Sequence, residues 1–285
     1  MEQDLKELHA IQLDLLHTLD AICKKHNIRY SLFAGSALGA VRHQGFIPWD
    51  DDLDVVMPRP EYERFLRVAG QEIDKDKYFL QCEFSPHWPM FFSKLRAQNT
   101  TYLERYHPRD WQTNMGIYID IFPCDNLADR PFVRRLQFAA SKVVIAKSLY
   151  RRGYSTDSLR KKAFMAFCCL LPQRPFLALA QLKGHGNTKM VHTFFGGARS
   201  YAKNIFPRSW LANTVDMPFE DGAFPVTQQY DALLRTLYGN YMQQPSEEER
   251  ACKVHAMRLD CTRSYKTYEA WHRQQKIDTY ERSIR

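Results

Sequence analysis

The stretch Trp49-Asp50-Asp51-Asp52-Leu53-Asp54 runs straight into Val55-Val56-Met57, so an apolar strand over residues 53–57 begins inside a cluster of four carboxylates. Carboxylates crowded this way repel one another, and the strand gains no stability from them. A divalent cation resolves the conflict. Side chains two apart on a strand share a face, so Asp52 and Asp54 project together with Leu53 buried behind them. That pair suits Mg²⁺ or Mn²⁺, which favour oxygen ligands. An isolated Asp-x-Asp is more often a solvated acidic turn, so the neighbouring segments decide between the two readings.

Upstream, residues 28–33 alternate as a short strand that leads into Gly35-Ser36, a helical turn over 37–42, and a loop with Gly45 and Pro48. Small residues and free backbone N–H groups at a helix start form a seat for phosphate, although most Gly-Ser pairs are plain turns. Arg42 can fork a phosphate, whereas His43 equally suits a loop-ordering hydrogen bond. Downstream, Pro60 opens a helix with Tyr62, Phe65, Leu66 and Ala69 on one face and Gly70 as its stop. Strands follow at 78–82, 90–96 and 116–122. Lys94 and Arg96 share a face of the second. In the third, Asp120 stands alone among Ile117, Ile119, Ile121 and Phe122, where a charge requires a metal or a partner such as a core Arg. A helix over residues 3–26, with Leu5, Leu8, Ile11, Leu15, Leu19 and Ile22 at steps of three and four, precedes all of this.

From Arg130 to about residue 204 apolar positions fall at helical spacing with Lys and Arg interleaved, a basic helical region. Its residues Phe164, Met165, Phe167, Leu170 and Leu171 could dock on a membrane; burial in helix packing is the favoured reading. In a third segment, residues 218–258, Pro218 and Pro225 bracket a loop, and Tyr230, Leu233, Leu234, Leu237 and Tyr238 line one helix face. The polar tail after Thr262 packs loosely. The expected organisation is a core over 1–125, the basic helical region over 126–215 and a helical segment over 216–285 that completes one compact unit.

The chain has 285 residues, 45% of them hydrophobic and 25% charged, which is a globular balance. Its net charge of +8 favours anionic partners: nucleotides, phosphorylated glycans or a lipid surface. The acidic start Met1-Glu2-Gln3-Asp4 lacks the charge pattern of a secretory signal, and residues 163–173 are too short an apolar run to span a bilayer, so a cytoplasmic location is expected. Seven cysteines (Cys23, Cys82, Cys124, Cys168, Cys169, Cys252 and Cys261) form no Cys-x-x-Cys pair and read as reduced thiols. Cys252, His255 and Cys261 fit no common zinc spacing. Trp49, Trp88, Tyr102, Trp111 and Tyr118 could cage a quaternary ammonium, with core or rim packing the more usual use.

Gly-Ser after a first strand, Asp-x-Asp on a second and a further carboxylate on a later strand together resemble the nucleotidyltransferase superfamily. The sixteen-residue step from Ser36 to Asp52 is slightly longer than usual there. Over residues 34–54 the sequence closely resembles the LicD family, bacterial enzymes that place phosphocholine on cell-surface glycans, with relatives among the fukutin-related proteins. Lys94-Leu95-Arg96 with Thr100, Ile119-Asp120-Ile121-Phe122-Pro123, and Tyr238-Gly239-Asn240-Tyr241-Met242 with Pro245 and His255 extend the match. Ala34 stands where many members carry a second glycine, and Cys124 where Leu is common.

The resemblance implies an α/β fold, a nucleotidyltransferase-type mixed sheet wrapped by the helical region. It also implies transfer of a phospho-alcohol, most simply phosphocholine from CDP-choline, to a glycan hydroxyl such as that of a lipopolysaccharide or teichoic acid, with CMP leaving. Asp52 and Asp54 would hold Mg²⁺, and Asp120 would share a metal or accept the acceptor's proton. Gly35, Ser36, Arg42, Lys94 and Arg96 would position phosphates, with Trp49 beside the substrate. Peripheral contact with the inner membrane face fits the same picture; nucleic acid does not. Two rivals stand beside it: a nucleotidyltransferase that transfers NMP and releases pyrophosphate, and a non-enzymatic basic module for nucleic acid or anionic membrane, which leaves Asp120 unexplained.

Overall fold

The computed structural model describes residues 2–104, 113–154, 156–182, 186–193, 197, 204–246 and 255–268. Helix α1 (Glu2–Lys25) buries Leu8, Leu15, Leu16, Leu19 and Ile22 as its apolar spacing requires, and ends on Lys24 and Lys25, which suit the negative end of the helix dipole. It is followed by β1 (Ser31–Leu32), α2 (Ala34–His43), β2 (Asp54–Pro58), α3 (Arg59–Glu72), β3 (Tyr78–Gln81), β4 (Ser93–Ala97), β5 (Thr101–Glu104) and β6 (Tyr118–Leu127). Three helices come next, α4 (Pro131–Arg152), α5 (Leu159–Leu170) and α6 (Gln173–Gln181). The chain then forms β7 (Met190–His192), β8 (Ile205–Pro207), β9 (Thr214–Phe219), β10 (Gly222–Thr227), α7 (Tyr230–Tyr238) and β11 (Ala256–Asp260).

The main sheet runs β3-β4-β6-β2-β1-β10-β9, with β7 joined to the far part of β6 and β8 to β7. It is mixed: β2 lies parallel to β6 and β1 parallel to β10, while the other pairs are antiparallel. A separate ladder joins β5 to β11. The alternation of β2 and β6 sorts their side chains between two apolar layers. Val55, Met57, Ile119 and Ile121 meet Leu15, Leu19, Tyr62 and Phe65 of α1 and α3, while Val56 and Phe122 meet Phe33, Trp88, Phe92 and Phe206. Asp54 and Asp120 therefore fall on the second face.

Several expectations need correction. Helix α3 continues through Gly70 to Glu72; Gly70 lacks the left-handed conformation of a stop, and the chain turns at Ile73. The strand expected at 90–96 starts at Ser93, because Met90 and Phe92 are taken into the layer around Trp88. The loop expected between Pro218 and Pro225 is a β-hairpin in which Pro218 faces Ala223 and Pro225 faces Asp216. Pro218 is tolerated because β9 is the edge strand of the sheet among the described residues, so its missing N–H leaves no ladder bond unmade on that side. The basic region is not wholly helical, since β7 and β8 lie within it. Its residues Phe164, Phe167 and Leu170, favoured for burial, are 47%, 57% and 83% exposed; Met165 is buried and Leu171 half-buried.

The hairpin also positions the loop that leads into the acidic cluster. Glu220, at the hairpin turn, donates its N–H to the Gln44 carbonyl and accepts from the Phe46 N–H at 2.9 Å. Beneath this contact Gly39 passes so close to the loop that a Cβ would lie 2.4 Å from the Gly45 carbonyl oxygen. Gly39→Ala is expected to destabilise the fold by about 1–3 kcal/mol, because backbone rather than a flexible side chain must yield. A urea unfolding midpoint equal to the parent's would contradict it.

Candidate active site

Register builds the site. Asp54 of β2 sits opposite Asp120 of β6, and Asp120 opposite Lys94 of β4, so two carboxylates and an ammonium form one row across three adjacent strands. Asp52 lies two residues before Asp54. The row is fixed by backbone bonds: Asp120 donates its N–H to the Leu53 carbonyl, and Phe33 donates to that of Asp54. The Ser36 hydroxyl accepts the Asp54 N–H at 2.8 Å.

The acids differ in environment. Burial, then Asp50 and Asp51, pushes Asp52 up to about 6, against the opposing pull of His255 and Lys94. Burial, then Asp52 and Asp120, raises Asp54 well above the usual carboxylate range. Asp120 is also raised by burial, but the Lys94 ammonium 3.0 Å from its Oδ1 opposes this strongly. Its partner is thus a buried cation, as a lone strand Asp requires, though a lysine and not the Arg of the alternative considered above.

Lys94 is 1% exposed and burial depresses its basicity. Its Nζ stands 3.2 Å from Glu104 Oε1 and 3.0 Å from the centroid of the Tyr118 ring. Glu104 in turn accepts from the Tyr118 hydroxyl and pairs with Arg152 at the end of α4. Arg96, on the same face, bonds Gln81 and the Gly116 carbonyl, and its guanidinium lies 4.9 Å from the Tyr118 ring centroid. Trp88 is flanked by Lys94, Arg96 and Arg152. Trp88 and Tyr118, offered above as a cage for a quaternary ammonium, therefore pack against the protein's own cations, and buried Tyr102 stacks edge-on against Tyr118. Trp111 lies outside the described residues.

Other candidates are placed less directly. The Ser36 N–H is taken by the Phe33 carbonyl, and a Cβ on Gly35 would lie 2.7 Å from Asp50 Oδ2, so a carboxylate already approaches the start of α2 where a phosphate was expected. Arg42 bonds His43 and the Tyr241 carbonyl, tying α2 to the chain after α7. Trp49 is half-buried and meets His43 edge-on. Of the zinc candidates, His255 is engaged by Asp51, Cys261 packs near Tyr102 and Ile117, and Cys252 is outside the described residues.

Residues not singled out from sequence brace the acidic loop. Gln12 of α1 donates to the Asp51 and Tyr118 carbonyls, and the His9 ring meets the Asp50 carbonyl at 2.8 Å. Asp51, 1% exposed, accepts the N–H groups of His255 and Ala256 through Oδ2, and its Oδ1 meets His255 Nδ1 at 2.8 Å. Burial pushes Asp51 up, but these bonds outweigh it and hold the carboxyl below its usual range, while the same contact raises the His255 imidazole. His255 also stands 3.9 Å from Asp52. Tyr238, on the helix face with Leu233 and Leu234, is 43% exposed as a residue; burial of its hydroxyl end and the charges of Asp54, Asp50 and Asp52 push that hydroxyl up, which sets it beside the acids. Gln12, Glu104 and Arg152 carried no local signal; Tyr238 and His255 lay within the matched motifs.

His255→Ala is expected to remove the imidazole partner of Asp51 and to loosen the loop that carries Asp52. Activity should fall by roughly 10- to 100-fold, with a smaller loss in His255→Gln. Equal activity in all three proteins would sever this link.

Residues 27–138 match the family described as LicD/FKTN/FKRP, nucleotidyltransferase domain. The lipopolysaccharide cholinephosphotransferase LicD of Haemophilus influenzae is 28% identical over 266 residues, covering 86% of this chain and 94% of that protein. An uncharacterized protein of Rickettsia typhi is 34% identical over 85 residues, 27% of this chain and 28% of its own length. One of Rickettsia prowazekii is 51% identical over 41 residues, 14% and 15%. The first alignment runs through the helical region as well as the acidic row. Residues 27–138 therefore carry a LicD-type domain, and the likeness to the Haemophilus protein extends along most of the chain.

Proposed function

We propose that the protein transfers phosphocholine from CDP-choline to a hydroxyl of a cell-surface glycan and releases CMP. The observation that carries this reading is the registered row of Asp54, Asp120 and Lys94 with Asp52 beside it. It is supported by the name of the Haemophilus relative, a lipopolysaccharide cholinephosphotransferase.

The donor set suits Mg²⁺. Asp52 and Asp54 are hard oxygen ligands whose carboxyls are pushed up by burial and by neighbouring carboxylates, against the smaller pull of nearby cations. Among the described residues no three His, Cys, Asp or Glu side chains form a group that could hold a metal ion by themselves, so substrate phosphate and water would have to complete the coordination of an ion held by Asp52 and Asp54. When bound, Mg²⁺ supplies charge neutralisation at the diphosphate and its leaving group.

The protein's own groups do the rest. Lys94 opposes the rise that burial imposes on Asp120, and Asp120 accepts the proton of the acceptor hydroxyl as its oxygen bonds to the phosphocholine phosphorus. The bond from that phosphorus to the CMP oxygen breaks, and CMP departs with the electron pair. Arg96 and Arg152 hold the strand and rings around Lys94 and stay out of the reaction. Trp49, half-buried, and Tyr238, beside the acids, are aromatic rings suited to the trimethylammonium group. Gly35, which lets a carboxylate approach its backbone, is where a donor phosphate would replace Asp50, with Ser36 and Arg42 behind it.

The test is the identity of the product. Purified protein with Mg²⁺, CDP-choline and deacylated lipopolysaccharide should give CMP and a glycan heavier by one phosphocholine. Pyrophosphate released from CTP, with no CMP from CDP-choline, would make it an NMP transferase instead. No turnover of either donor across a panel of glycan acceptors would remove the enzymatic reading.

A further inference from the structure

We propose that helix α5 docks the protein on an anionic lipid surface. Between Arg130 and Val215 the sequence holds sixteen Lys and Arg residues and a single acid, Asp157, so the positive charge of the chain is concentrated in one stretch. Within it α5 turns its apolar side outward. At 100° per residue, Leu159, Ala163, Ala166, Phe167 and Leu170 fall within an arc of about 100°, and Leu159, Phe167 and Leu170 are 79%, 57% and 83% exposed. Exposed Arg160 and Lys162 border the arc and exposed Lys161 follows behind. The inner side is held by Met165 and Cys168 against Ala146 of α4.

The charge selects the occupant. A second copy would present the same cationic stretch and be repelled. Nucleic acid would pair with the lysines but leave the leucines and phenylalanine in water. A bilayer with anionic headgroups satisfies both, with the apolar arc in the acyl boundary and the flanking cations among the phosphates. The proposal places the helix on the bilayer: no single described helix is long and apolar enough to span, and α5 and α6 reach that length and apolarity only as a pair bent by 101°. Helix α4 joins this surface to the acidic row, since its Arg152 pairs with Glu104 beside Lys94. Docking does not depend on the catalytic reading.

Flotation of the full chain with phosphatidylglycerol–phosphatidylcholine vesicles at 0.1 M salt tests it, with pure phosphatidylcholine vesicles in parallel. The expected result is binding to the anionic vesicles, weakened at least about tenfold on pure phosphatidylcholine, in Phe167→Glu/Leu170→Glu and in Arg160→Glu/Lys162→Glu. All three proteins should keep the parent's melting temperature, and turnover with a soluble acceptor should be unchanged. Failure to float, equal flotation of the variants, preference for an oligonucleotide, or a dimer that the same substitutions dissolve would each overturn the proposal.

Discussion

Asp54→Asn is expected to lose transfer by roughly 100- to 1,000-fold while melting at a higher temperature than the parent in metal-free buffer. Asp54 faces two other carboxylates in a buried site, and its charge is disfavoured by burial, by Asp52 and by Asp120. An amide of the same shape removes that conflict and also removes a ligand charge. The pH dependence follows from the same cause. A carboxyl raised in the folded state binds its proton more tightly there than in the unfolded chain, so its contribution favours folding most at low pH. For Asp52 that advantage disappears as pH rises from the ordinary carboxylate value near 4 through about 6. Apo protein should thus lose about 1–3 kcal/mol of stability across that window on this group's account, and Asp52→Asn should flatten the profile. Mg²⁺ should raise the parent's melting temperature near pH 7 and do little for either variant. An Asp54→Asn protein that is less stable than the parent and still active would refute the assignment.

Lys94→Met is expected to have the largest effect on stability. Lys94 is 1% exposed and lies between Asp120 and Glu104, so its removal leaves buried carboxylates with Arg152 as the nearby cation. Breaking a buried pair from one side costs about 3–5 kcal/mol, and activity should vanish with it. Asp120→Asn should cost less, because Glu104 still answers Lys94. The double variant Lys94→Met/Asp120→Asn should recover part of the stability and none of the activity, a coupling that guanidinium melts of the four proteins would measure. Additive losses would mean that the two groups do not share a charge pair.

The local half of this arrangement was legible in the sequence. Asp52 and Asp54 follow from strand alternation, and Asp120 from a single charge in an apolar strand, because both depend on residues one or two apart. The pairing of Asp120 with Lys94 was not, since register between β4 and β6 is a property of the folded sheet. Chain pattern likewise misread the hairpin of residues 214–227, where Pro218 and Pro225 signal a loop, although Pro218 is accommodated on the edge strand β9. The exposed arc of α5 has the spacing of a packed helix; only its exposure among the described residues distinguishes the two. His255 became meaningful through Asp51, a residue 204 positions away.

The parallel pairing of β1 with β10 joins Leu32 to Val226. A nascent chain leaving the ribosome therefore completes residues 27–138, the part matched by the family, long before β10 exists to cover that side of β1. Until then β1 is an open sheet margin, and the loop that later leans on Glu220 lacks its support. Contacts of such sequence separation slow folding and prolong exposure of an unpaired strand. The stretch matched by the family model is accordingly shorter than the sheet to which β1 belongs. A fragment ending near residue 138 should aggregate where one extending past residue 240 refolds, and boundaries for expression should follow the sheet.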